Sequence, residues 1–181
     1  MNDETVASIG GEYRRYRRVL ELTLEQISDE DFFRAPDAVT NPIAVIVGHL
    51  AGNLRSRFTD FLTTDGEKPW RERDAEFETP DVERGALLAR LDEAWDMLAA
   101  ALDEVTEKDA LGATITIREQ PLSVVEALHR SLAHVAYHVG QVVLIARSAL
   151  GEDWKTLSIP KGGSVAYAAH PTLEKGPDGR R

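Results

Sequence analysis

The chain has 181 residues, no cysteine, a formal charge of −10 and an apolar fraction of 43%. Those values fit one globular domain with a real core, and exclude disulfides, cysteine-type zinc sites and a cysteine nucleophile. An acidic surface repels a phosphate backbone, so no nucleic acid partner is expected.

The opening stretch, MNDETVASIGGEYRRYRR, lacks the apolar core of a secretory signal. The most apolar window, Val139 to Ala146, is too short to span a bilayer and contains Gln141. The expectation is therefore a soluble, cytoplasmic protein with no membrane association.

The first helical pattern runs from about Glu4 to Ile27. Its apolar positions are Val6, Ile9, Tyr13, Tyr16, Leu20, Leu24 and Ile27, in steps of three and four. Asp3 is its expected cap. Arg14, Arg15, Arg17 and Arg18 read as a solvated face, partly neutralised by Glu12, Glu21 and Glu25.

A second helix is expected to open at Asn41-Pro42, with asparagine as N-cap and proline at the first helical position. Its stripe is Ile43, Ile46, Val47, Leu50, Leu54, Phe58 and Phe61, and it ends near Thr64. Residues 63–81 then form a long charged crossover. Loops of this length in a compact domain tend to be functional or mobile.

The third helix spans about Val82 to Val105, with Leu87, Leu88, Leu91, Ala94, Trp95, Leu98, Leu102 and Val105 as its stripe. Residues 106–122 hold Thr114-Ile115-Thr116-Ile117, a short strand candidate. The fourth helix starts near Ser123 and stops at Gly151. It is apolar almost all round from Val135 to Leu150, which predicts the most buried helix. Residues 1–165 are read as one domain and 166–181 as a flexible tail. The fold expected is an all-α four-helix bundle with long crossover loops and a short hairpin-like segment before the last helix.

Three of the five histidines carry the functional signal. His134 and His138, in HVAYH, lie on one helical face, about 40° apart in direction and about 6 Å apart in rise. His49, in GHLAGN, lies in another core-forming pattern. Three imidazoles from two helices can hold a divalent metal and leave positions open for water or substrate. The i, i+4 spacing alone is a weak motif, and a lone core histidine is more often structural. Similar small or polar lines beside the histidines strengthen the metal reading.

Those lines are Val45, His49, Gly52/Asn53, Ser56, Asp60 on one helix and Ala127, Arg130/Ser131, His134, His138, Gln141 on the other. Asn53 and Gln141 are expected as substrate or water contacts, with simple packing the alternative. Trp70, Arg71 and Arg73 in the crossover, and Arg130 one turn before His134, are candidates to meet an acidic cofactor. His129 and His170 are not expected to be ligands. The metalloprotease string HExxH is absent, since Val135 follows His134, so no glutamate base sits between the ligands.

The order GHLAGNLRSRFTDFL, a long third helix, then HVAYH resembles the DinB/YfiT-like superfamily of metalloenzymes. The stretch GHLAGNLRSRFTDFLTTDGEKPWRERDAEF, with WKTLSIPKGGS, is similar in particular to the branch called DUF1572. The resemblance covers about residues 5 to 165. It implies an up-down-down-up bundle, commonly a homodimer, with a metal triad on His49, His134 and His138 and zinc or nickel as the usual occupant. It also implies chemistry with an exogenous low-molecular-weight thiol, since relatives include bacillithiol or mycothiol S-transferases and a mycothiol-dependent maleylpyruvate isomerase.

The leading functional expectation is a metal-dependent enzyme acting on a small-molecule substrate, with the metal activating such a thiol. A metal-hydroxide hydrolase is the second reading. The third is a non-catalytic dimeric stress or small-ligand-binding protein.

Overall fold

The computed structural model describes residues 2–171. The tail expectation for 172–181 lies outside the described residues. The fold is all-α, apart from one small hairpin. Its elements are α1 (Asn2–Leu24), α2 (Asp29–Phe33), α3 (Ile43–Phe58), α4 (Arg84–Glu107), β1 (Thr114–Ile117), β2 (Gln120–Ser123), α5 (Val124–Leu150) and α6 (Ser164–Ala169). No helix among the described residues is long and apolar enough to cross a membrane.

Four long helices make the bundle. α1 packs on α5 and α4, and α3 packs on the same two, so α1 faces α3 across a diagonal. The stripes read from the periodicity form the core: Tyr13, Leu20, Leu50, Leu54, Leu98, Val105 and Val135 are all buried. The arginine face of α1 is solvated, with Arg17 paired to Glu21 and Asp92, and Arg18 to Glu21 and Glu25.

Several local expectations are corrected. Asp3 lies in the first turn of α1, not at its cap. Pro42, not Asn41, is the N-cap residue of α3, so the proline sits one position earlier than expected. α3 ends at Phe58 rather than Thr64, because Asp60 turns to φ 47°. Phe61 nevertheless stays in the core. A short helix that the periodicity did not show, α2, is capped by Ser28, whose side chain accepts from Asp31 N–H.

The most buried helix is α3, not α5. Ile43, Ala44, Val47, Leu50 and Leu54 have no exposed surface, whereas Leu144 and Tyr137 on α5 are 66% and 63% exposed. α5 is apolar on faces that have no neighbouring helix. Its start agrees with expectation: Ser123 accepts from Glu126 N–H, and Glu126 accepts from Ser123 N–H, a reciprocal capping box.

The strand expected at Thr114–Ile117 pairs antiparallel with Gln120–Ser123, Ile115 opposite Leu122. Its two-residue turn puts Arg118 and Glu119 at φ 54° and 62°, a left-handed conformation that costs non-glycine residues about 1 kcal/mol each. Asp65 offsets that cost by accepting the N–H of Arg118 at 2.9 Å and of Glu119 at 2.8 Å. Gly66 N–H donates to Thr116 O at 2.8 Å. The crossover and the hairpin tip are thereby tied together beside the ends of α3 and α5.

Candidate metal centre

α3 and α5 are neighbours, and they bring the three predicted histidines together. His134 Nε2 lies 3.1 Å from His49 Nε2 and 3.2 Å from His138 Nε2. One nitrogen from each ring falls within 4.8 Å of the others. For bonds of about 2.1 Å, tetrahedral ligand atoms stand about 3.4 Å apart. The spacing therefore fits a single small cation.

The outward nitrogens explain why. Glu76 Oε2 lies 2.9 Å from His49 Nδ1, and a carboxylate only accepts. His49 Nδ1 is thus the protonated nitrogen, and Nε2 presents a lone pair. Gln141 Nε2 donates to Tyr137 Oη, leaving Oε1 to accept from His138 Nδ1 at 2.7 Å. His138 Nε2 is likewise a lone pair. His134 can offer one proton to one of these two neighbours, so the three nitrogens cannot all be satisfied by one another. A cation between them resolves the conflict. His134 Nδ1 is buried with no hydrogen-bond partner.

Burial, reinforced by the neighbouring His138 and His49 rings, pushes the His134 pKa down to about 4. His138 is lowered by burial and then by His49, against the opposing effect of its hydrogen bond to Gln141 Oε1. Both rings are neutral at pH 7, the form that binds metal.

Glu76, which the sequence did not single out, supports His49. It sits in a 3₁₀ turn, Asp74–Phe77, within the crossover. Arg71 grips it with two hydrogen bonds of 2.8 Å each. Burial works to raise the Glu76 carboxyl, but the hydrogen bonds from Arg71 and His49 outweigh it and hold the pKa below the usual range. Gly52 makes room for this arrangement: a Cβ there would lie 2.2 Å from Glu76 Oε1. The signal was present only in outline, as a long charged crossover with a small residue one turn after His49.

The remaining predicted residues are distributed as follows. Asn53 is 9% exposed and lines a cavity beside His49 and His134, together with Arg71, Arg73 and Arg130. Gln141 holds His138 and lines a second cavity. Trp70 is half exposed, with the Arg55 guanidinium 4.7 Å above its ring, and lines neither cavity. Ser56 pins the crossover, donating to Gly66 O and accepting from Lys68 N–H. His129 is exposed on α5 and His170 is the C-cap residue of α6; neither joins the trio.

The model of the family described as Protein of unknown function (DUF1572) matches residues 2–163. No curated protein and no solved structure matches the chain.

Proposed function

The chain belongs to the DUF1572 family, and we propose that it is a divalent-metal-dependent enzyme whose cation is held by His49, His134 and His138. The observation that carries this reading is the convergence of three imidazole nitrogens, two of them fixed as lone pairs by Glu76 and Gln141. Zinc or nickel suits such a neutral nitrogen set. A cation held by three neutral ligands keeps its full charge and so lowers the pKa of a bound thiol or water and polarises a carbonyl.

The protein's own groups then have distinct tasks. Glu76 and Gln141 orient two of the rings and fix their tautomers, and Arg71 holds Glu76 in place. Phe77 lies against His49 with ring centroids 4.8 Å apart, which shields that side from water. No cysteine is present, so a thiol nucleophile must arrive with a small molecule. The DinB/YfiT-like resemblance, whose relatives include thiol S-transferases, and the cavities on both sides of the trio support a reaction in which a low-molecular-weight thiol attacks an electrophile. The thiol S–H bond would break with its proton passing to solvent, and the new carbon–sulfur bond would form as the electrophile's bond to its leaving group breaks, that group departing as an anion with the bonding pair.

The test is elemental analysis of protein purified without a histidine tag, beside His134→Ala. About one zinc or nickel per chain is expected in the wild type, with occupancy at least tenfold lower in the variant. Full occupancy in His134→Ala would overturn the site. A thiol-conjugation assay run beside ester and amide substrates then separates transfer from hydrolysis.

A further inference from the structure

Two cavities meet at the histidines, and their walls differ in chemistry. One, of about 230 Å³, includes His49 and His134 and is lined by Arg57, Arg71, Arg73, Arg118 and Arg130, with no acidic side chain in its wall. The other, of about 400 Å³, includes His49 and His138 and is lined by Ile46, Phe77, Tyr137 and Leu144, with no lysine or arginine. The five cations come from α3, the crossover, the hairpin tip and α5. Their convergence is notable in a chain of net charge −10, because like charges gathered around one space repel unless something balances them.

Few acids do so. Glu67 is shared by Arg57 at 3.1 Å, Arg118 at 3.1 Å and Arg71 at 3.7 Å. Glu76 serves Arg71 and His49. Among the described residues, the one carboxylate that Arg73 reaches is Asp74, at 3.8 Å, and it is fully exposed. Arg130 has no ion pair among the described residues. Five guanidinium groups thus surround the cavity with two sheltered carboxylates between them. Asn53, nine-tenths buried, lines the same cavity and has no hydrogen-bond partner among the described residues. Its amide is a further unused donor.

Resting on the metal-site reading above, we propose that this arginine-lined cavity binds the oxyanion group, carboxylate or phosphate, of a small organic acid whose other end reaches His49 and His134. Guanidinium forks recognise such groups bidentately. Arg118 and Arg130, exposed at the hairpin tip and on α5, meet the anion at the rim together with the exposed Arg73, and Asn53 donates deeper in. The apolar cavity offers nothing to balance that charge, so the acidic end enters from the arginine side.

The test is calorimetric titration of the wild type with succinate, inorganic phosphate and uncharged succinamide at fixed ionic strength, with metal content measured on the same sample. The comparison proteins are Arg118→Gln, Arg130→Gln and, as a control on the far side of α1, Arg14→Gln. Succinate or phosphate should bind at least tenfold more tightly than succinamide, and the tighter of the two identifies the group. Each cavity variant should weaken that anion at least tenfold, with metal content and melting temperature unchanged, and Arg14→Gln should not. Equal affinity for succinamide, binding of neither anion, or unaltered affinity in both cavity variants overturns the proposal. Wild type that takes up neither zinc nor nickel, yet binds the anion and loses that affinity in Arg118→Gln and Arg130→Gln, would remove the metal reading and leave this subsite standing.

Discussion

Replacing Gly52 with alanine sets helix propensity against the support of the metal centre. In an unconstrained helix interior the change stabilises by about 1 kcal/mol. Here the new Cβ lies 2.2 Å from Glu76 Oε1 and 2.7 Å from its Cδ, so the carboxylate must leave. It is held by His49 at 2.9 Å and by Arg71 at 2.8 Å twice. The side chains of Glu76, Arg71 and His49 are only 12%, 2% and 5% exposed. Losing the His49 bond and one Arg71 bond, at about 1.5 kcal/mol each, costs about 3 kcal/mol. The net is a destabilisation of about 2 kcal/mol, or a Tm lower by about 4–8 °C in a chain of this size. Gly140 on α5 is the matched control, since a Cβ there meets nothing within 4 Å. Gly140→Ala should raise Tm by about 2–4 °C. Zinc affinity, measured by competition with a chelating dye, should fall about 10–100-fold in Gly52→Ala once His49 loses its orienting carboxylate, and stay unchanged in Gly140→Ala. If Gly52→Ala melts as high as Gly140→Ala and binds zinc as tightly as the wild type, the Glu76 clamp is not what the geometry says it is.

Two further outcomes follow from the same structure. In chelator-treated protein, His134 has its pKa lowered from 6.5 to about 4 by burial, so between those values the unfolded chain binds the proton that the native ring refuses. Stability contributed by this ring is whole above the unfolded value and declines as pH falls through that window. The loss is about 2 kcal/mol once solvent screening of a partly exposed ring is allowed for. Urea denaturation across that window reads it, and a flat profile would contradict the burial of the ring. Asp65 accepts from the backbone N–H of Glu67, Arg118 and Glu119. Burial works to raise its pKa, and those bonds hold it well below the ordinary carboxylate range. Asp65→Ala should free the left-handed hairpin tip, speeding amide exchange at residues 118 and 119 about tenfold or more and weakening anion binding as Arg118→Gln does. Unchanged exchange would show that the turn holds without the carboxylate.

Local periodicity was enough to place the four long helices, the buried stripes of the first three long ones and a start of α5 near Ser123, because those features depend on neighbours three and four residues apart. The same short range made His134 and His138 legible as a pair on one face, and the core pattern around His49 marked the third member. Only the tertiary structure decided which helices are neighbours. That is why α3, enclosed by α4, α5 and the crossover, is more buried than the more continuously apolar α5, whose Tyr137 and Leu144 face no helix. It also decided which of the many charges in the crossover matter. Nothing adjacent in sequence distinguishes Glu76 from the other acids of 63–81. Its role arises because the chain folds back over Gly52, where a missing Cβ leaves space for a carboxylate. The arginines of the cavity are likewise scattered along the sequence from 57 to 130, and their charges add only where helix packing and the Asp65-anchored hairpin bring them around one space. Periodicity records what each residue wants as a neighbour, whereas contacts between distant segments settle which neighbour it gets.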